Sequence, residues 1–150
     1  MMHSIRDMEI EDIPRCFEVR TSTVENALTM QELQEYYDIN PETLAKAMAG
    51  THRGWVCEVD GEVVGFAMGD SANSEVTVLA VLPGFEKRGI GCDLLVQVRD
   101  WLVGSGSAEP WLMTTADPGL RAYGFYLAQG WTATGEMDED EERFVYRLDS

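Results

Sequence analysis

The sequence is poor in basic residues, histidine and cysteine, and each shortage removes a class of function. Lysine and arginine together number 11 against 27 aspartates and glutamates, a formal net charge of −16. Phosphate repulsion on that scale is long-ranged and excludes nucleic acid as a partner. The same field favours cationic small molecules, although solubility alone is reason enough for a surplus of acid. His3 and His52 are the only histidines, and neither sits at metal-ligand spacing, so no metal site and no His-centred triad is expected. Cys16, Cys57 and Cys92 are far apart and form no CxxC pair. That pattern argues against disulfides and zinc and fits a reducing cytoplasm. No apolar run approaches the roughly 18 residues of a membrane span. The opening Met1-Met2-His3-Ser4-Ile5-Arg6 lacks the apolar core of a secretory signal. No membrane partner is expected.

What is present is ordinary globular material: 150 residues, 45% hydrophobic and 25% charged. Without repeat, linker or composition shift, residues 1–150 read as one domain. Ile5 to Met8 reads as a first strand. Ile13, Cys16, Phe17 and Arg20 then fall at helical spacing between about Glu11 and Thr21. Thr29-Met-Gln-Glu32 has the form of a capping box, and Asn40-Pro41-Glu42 that of a second helix start. From Trp55 the period changes to that of strands. Asp60-Gly61 is a two-residue hairpin turn between Trp55–Val59 and Glu62–Met68, and Glu75–Leu82 is apolar enough to be central in a sheet. Leu94, Leu95, Val98, Trp101 and Leu102 share one face of a helix that opens at Gly89-Ile90-Gly91. Trp111–Thr115 is a strand, Gly119–Gln129 a helix, and Trp131–Thr134 and Arg143–Leu148 are strands. The acids from Glu136 to Glu142 read as a solvated loop between them, with a negative rim for a cationic acceptor as the functional alternative. The order gives a mixed α/β domain around one sheet.

Chemistry concentrates in Val81-Leu-Pro-Gly-Phe-Glu-Lys-Arg-Gly-Ile-Gly91, where a strand meets a Gly-rich turn and a helix start. Unpaired first-turn amides and the helix dipole suit a pyrophosphate, and glycines let it approach the main chain. The segment is neither a P-loop nor a dinucleotide fingerprint.

This stretch resembles the acyl-CoA signature Q/R-x-x-G-x-G/A of GNAT acetyltransferases. The hairpin Asp60–Phe66 resembles that family's second and third strands. Ala122-Tyr-Gly-Phe-Tyr126-Leu-Ala-Gln-Gly130-Trp131 resembles its A-x-x-F-Y-x-x-x-G-F/W segment, and the order of elements agrees end to end. The resemblance implies a single mixed, mostly antiparallel sheet with helices on both faces. It implies an acetyl-CoA-dependent N-acetyltransferase that moves an acetyl group directly to a primary amine of a small molecule, with room for a homodimer. By the same resemblance the amides of Lys87, Arg88, Gly89, Ile90, Gly91 and Cys92 hold the coenzyme pyrophosphate. The main chain of Leu79 and Val81 meets the pantetheine arm and the acetyl carbonyl. Tyr126 faces the coenzyme sulfur as acid, and Glu75 is the general base, acting through water. No Cys-His or Ser-His-Asp set is available for a covalent intermediate.

The sequence departs from the family pattern twice. Glu86 stands where Arg or Gln is usual, so it is expected to point away from phosphate while Lys87 and Arg88 supply charge. Gly119 stands where Asn is frequent. Cys92 reads as a small residue packed under the loop. Two other functions stay open: a protein- or peptide-modifying acetyltransferase and a non-catalytic acyl-CoA sensor. A cationic acceptor is favoured. An amino acid is its nearest rival, because Arg20, Arg53 and Arg121 are unassigned and any one could pair with a carboxylate.

Overall fold

Seven strands form one sheet in the order β1-β2-β3-β4-β5-β7-β6, seen in a computed structural model that describes residues 3–22, 29–86 and 88–148. The strands are β1 (His3–Asp7), β2 (His52–Val59), β3 (Glu62–Asp70), β4 (Glu75–Val81), β5 (Trp111–Thr115), β6 (Thr132–Asp138) and β7 (Glu141–Val145). The helices are α1 (Ile13–Thr21), α2 (Met30–Tyr37), α3 (Pro41–Ala49), α4 (Ile90–Gly104) and α5 (Arg121–Ala128). All ladders are antiparallel except β4 with β5. The expected mixed, mostly antiparallel architecture is therefore present.

Local sequence explains most boundaries. Thr29 accepts from the Glu32 amide while Glu32 accepts from the Thr29 amide, a reciprocal cap that starts α2. Asn40 caps α3 in the same way with Thr43, and Pro41 costs nothing at a position whose N–H has no helical partner. Asp60 and Gly61 both take positive φ, at 53° and 79°, the geometry that a tight hairpin between twisted strands requires.

Alternation along the strands divides the core between two faces. Trp55, Cys57, Val59 and Val64 pack with Leu94, Leu95, Val98 and Leu102 of α4, and Tyr126 of α5 joins this cluster. Val56, Val63, Phe66 and Met68 point the other way, onto Cys16 and Val19 of α1 and the edge of α3. Each buried aliphatic side chain contributes about 1.5–3 kcal/mol. Gly65 permits the close approach of α4: a Cβ there would lie 3.2–3.3 Å from the Ala80 carbonyl oxygen and the Ile90 and Leu94 side chains.

The acidic segment departs from expectation. Residues 136–142 are not a loop: β6 runs to Asp138, and only Glu139 and Asp140 make the turn, Glu139 at φ 56°. Met137 pairs with Glu142 and Asp138 with Glu141. Buried Phe144 and Val145 anchor β7 against β5 and β6, and that ladder carries the acids into strand pairing. Glu142 is buried and accepts from the Gly135 amide, while Glu136 lies 3.7 Å from Arg143.

The N-terminal strand is tied down electrostatically. Arg6 donates to both carboxylate oxygens of Asp12 at 2.8 Å and to Glu58 at 3.1 Å, and Asp12 also accepts from the Glu9 amide. The Arg6 guanidinium holds the Asp12 carboxyl below its ordinary value of 3.8, against the opposing effect of burial. Asp12 therefore adds stability above pH 3.8 that is lost as pH falls through its lowered folded value. Asp12→Asn should cost about 1–2 kcal/mol at pH 7, the lower part of the range for charged hydrogen bonds because Arg6 is partly exposed. In urea melts the gap between variant and wild type should narrow below pH 3.8. A gap that stays constant would assign the loss to packing.

Candidate active site

β4 and β5 share one ladder pair, Glu75 with Trp111. It is locked by Trp111, whose amide donates to the Ser74 carbonyl and whose indole donates to the Asn73 carbonyl. Beyond that point β4 follows β3 and β5 follows β7, so the two strands part. The result is a cleft of about 1020 Å³, walled by β4 from Glu75 to Val81 and by Leu112, Met113 and Thr114 of β5. A bulge marks β4: Val78 pairs with Met68 but Val76 with Gly69, leaving Thr77 as the extra residue.

The cleft passes through the sheet. From the α4/α5 face it is lined by Gly89, Gly91, Cys92, Phe125, Tyr126 and Gln129. From the α1 face it is lined by Arg20, Tyr37 and Ile39. Glu75 belongs to the α1 face, because its neighbour Val76 packs with the α4 cluster. Asp70 pairs with Glu75 and His52 with Asp70 across adjacent strands, so these three side chains share that face.

On the α4 side, Gly89 is the helix cap, with φ 81° and no side-chain cap bond. A Cβ at Gly89 would meet nothing within 4 Å, so the space before the first-turn amides is open. Ile90 is buried in the core, which leaves only its amide for a ligand. Gly91 approaches Phe125, where a Cβ would stand 3.4 Å from the ring. Cys92 lines the cleft and donates to Gln129 at 2.8 Å, a partner 37 residues away that local sequence does not announce. Arg88 stacks over the Phe85 ring, 5.0 Å from its centre. Lys87 lies outside the described residues. An open glycine-capped helix start, a bulged strand edge and a cleft of this volume fit an acyl-CoA.

Glu86 does not point away, as the sequence suggested. It lines the cleft and folds back on its own loop, accepting from the Gly84 amide at 3.2 Å and from Arg121 at 2.7 Å. The salt bridge compensates the charge that the motif substitution introduces.

Tyr126 is 9% exposed, lines the cleft and is held by the rings of Phe125, Trp131 and Phe144. Burial pushes its pKa up, so the hydroxyl stays protonated at neutral pH. Glu75 is half-buried. Burial raises its pKa, Asp70 raises it further, and Arg143 offsets part of the rise. Leu79 and Val81 lie on the cleft wall. Among the described residues no cluster of His, Cys, Asp and Glu is placed to hold a metal ion, and no helix is long and apolar enough to cross a membrane.

The site is thus a split sheet beside a glycine-capped helix start, with a buried tyrosine lining the split. Residues 10–131 match the Acetyltransferase (GNAT) family, and the chain belongs to that family; it is an acetyltransferase whose donor is acetyl-CoA. Solved structures agree on the fold. A PaiA N-acetyltransferase from Thermoplasma acidophilum in complex with coenzyme A superposes with a TM-score of 0.83 at 18% identity, over 99% of this chain and 100% of that one. The ribosomal-protein-S18-alanine N-acetyltransferase of Escherichia coli gives 0.73 at 20% identity, over 99% and 96%. N-acetylglutamate synthase from Neisseria gonorrhoeae, complexed with coenzyme A and N-acetyl-glutamate, gives 0.72 at 20% identity, over 100% of this chain and 36% of that one. A search of the curated proteins returned no significant match.

Glu86→Gln removes a negative charge from the cleft mouth and should tighten acetyl-CoA by about 2- to 10-fold at low salt, less at high salt. Calorimetric titration at two ionic strengths checks this. An unchanged affinity at low salt would mean that Glu86 and the coenzyme phosphates are too far apart to interact.

Proposed function

We propose that the protein transfers the acetyl group of acetyl-CoA directly to a primary amine of a small molecule, with residues 1–150 acting as one catalytic domain. The observation behind this reading is a cleft that crosses the sheet, with Tyr126 lining it and Glu75 projecting to the opposite face of β4. Donor and acceptor can then meet at the strand edge from opposite sides, which favours transfer in a ternary complex.

On the donor side, the amides of Gly89, Ile90, Gly91 and Cys92 hold the pyrophosphate, and Lys87 and Arg88 supply positive charge. The main chain of Leu79 and Val81 pairs with the pantetheine arm and supports charge developing on the acetyl oxygen. The coenzyme supplies an activated thioester. On the acceptor side, Glu75 takes the ammonium proton, directly or through water, so that the amine can attack. A carboxyl whose pKa is raised by burial is a better base near neutral pH than an exposed one. Tyr126 is held protonated by burial and can give its proton to the departing thiolate.

Tyr37 and Ile39 line the acceptor side. A cleft of about 1020 Å³, shared with the coenzyme arm, suits a small acceptor, with Tyr37 exposed at its rim. One chain provides both sides, so the reading needs no second copy. Cytoplasmic residence suits Cys16 and Cys57, buried thiols whose pKa values burial pushes up to about 12 and about 11.

Tyr126→Phe should leave acetyl-CoA binding intact and slow turnover by about 10- to 10⁴-fold. Glu75→Gln should lower kcat and remove the acid-side limb of the kcat/KM profile. That limb falls above the ordinary glutamate value, because Glu75 must lose its proton at a raised pKa to act. A fully active Tyr126→Phe, together with an unmoved limb in Glu75→Gln, would leave both residues as packing.

A further inference from the structure

Three titratable side chains stand in a row across the α1 face of the sheet. His52 pairs with Asp70 between β2 and β3, and Asp70 pairs with Glu75 between β3 and β4. Side chains of paired residues project to one face, with Cβ atoms about 4.5–5.5 Å apart. His52 and Glu75 line the cleft. Asp70, between them in the ladder, is only 6% exposed. Sheets disfavour like charges directly opposite one another, and a buried carboxylate beside a half-buried one is a costly form of that pair.

The surroundings settle which of the two carboxyls carries the charge. Asp70 accepts from the Thr51 hydroxyl at 2.7 Å, the Ala72 amide at 3.0 Å and the Asn73 side-chain amide at 3.0 Å. His52 Nε2 lies 3.8 Å from its carboxylate. Burial opposes ionisation of Asp70, yet these partners outweigh it and hold the carboxyl below its ordinary value of 3.8. Glu75 has the opposite balance. Burial raises it above its ordinary value of 4.5, Asp70 raises it further, and Arg143 of β7 offsets part of the rise. Arg20 of α1, Tyr37 of α2 and Glu141 of β7 also line the cleft among the described residues, and all three are common to the variants compared below. Glu141 lies three residues from Phe144, which packs with the α4 cluster, so its side chain takes the α1 face.

Resting on the reading of Glu75 as the base, we propose that Asp70 is a positioning residue of the reaction, a fixed anion that acts through Glu75 and makes it the stronger proton acceptor. Two interacting carboxyls lose their protons as a pair, and the donors around Asp70 assign the first loss to it. Glu75 then meets the cleft beside a charge already in place, and takes up a proton more readily than an isolated glutamate. The acceptor arrives as an ammonium. Its proton passes from nitrogen to a Glu75 carboxylate oxygen, which frees the lone pair to form the C–N bond as the thioester C–S bond breaks. Asp70 keeps its own protonation state throughout, and His52 supports its charge from the cleft wall.

The test follows protons and rates on the full chain. In isotope-edited NMR of the side-chain carboxyls, the resonance that Glu75→Gln removes should titrate above pH 4.5 in the wild type and at lower pH in Asp70→Asn. Acetyl-CoA consumption is then measured with ethanolamine, phenylethylamine and glycinamide. Asp70→Asn should move the acid-side limb of kcat/KM to lower pH. It should lower the plateau by about 2- to 10-fold, less than the roughly 10²- to 10⁴-fold for losing the base itself. Asn73→Ala takes one donor from Asp70 and keeps its charge, so the limb should stay in place. The acetyl-CoA thermal shift should be unchanged in both variants, which reports that they fold and bind donor. If Asp70→Asn does not fold, the wild-type titration decides: a Glu75 that titrates at or below pH 4.5 would overturn the inference. An unmoved limb in folded Asp70→Asn, or an equal shift in Asn73→Ala, would overturn it while leaving Glu75 as the base. A limb that survives in Glu75→Gln would remove the base reading and the inference together, even with Glu75 titrating high beside Asp70.

Discussion

The parting of β4 from β5 is the constraint on which the rest of the molecule depends. A parallel pair inside a sheet normally satisfies the main chain of both strands, and here the ladder stops after Glu75 and Trp111. The edge of β4 that faces β5 is left with donors and acceptors inside a cleft, where an unmet polar group costs about 1–3 kcal/mol. Water or an amide-bearing ligand can meet them. A strand edge in the middle of a sheet is therefore a binding element, and the bulge at Thr77 bends it further from regular pairing.

Because the gap runs through the sheet, its two openings inherit different chemistry from different halves of the chain. The α4/α5 opening has a glycine-capped helix start and the rings around Tyr126. The α1 opening has Arg20, Glu75 and Glu141, and nearly all its charge comes from side chains. Electrostatic balance at the first opening is local: Glu86 would disfavour a phosphate, and Arg121 neutralises it. The second opening is assembled from α1, β4 and β7, elements far apart in sequence.

That difference decides what could be read from sequence. The hairpin turn at Asp60-Gly61, the caps at Thr29 and Asn40 and the turn at Gly89 are local, and each forms as its residues dictate. The motif around Gly89 and Gly91 identified the family for the same reason. The Glu86–Arg121 bridge spans 35 residues and the Cys92–Gln129 bond spans 37, and neither has a local signature. The acidic run misled because composition suggests solvation, whereas Phe144 and Val145 fix a register that draws the acids into a hairpin. Arg20 was visible as unassigned, but only the fold brings it to the cleft with Glu75 and Glu141.

The central claim is that acetyl-CoA occupies the split between β4 and β5 with its pyrophosphate on the start of α4. The most direct measurement is the melting temperature of the wild type, Gly89→Glu and Gly91→Glu with and without acetyl-CoA. A ligand at 100 times its Kd stabilises the folded state by about 2.7 kcal/mol, so the wild-type midpoint should rise by several degrees. Both variants should keep a cooperative transition without ligand and lose the rise, because each places bulk and negative charge before the first-turn amides. An undiminished rise in both variants would contradict the account and put the coenzyme elsewhere.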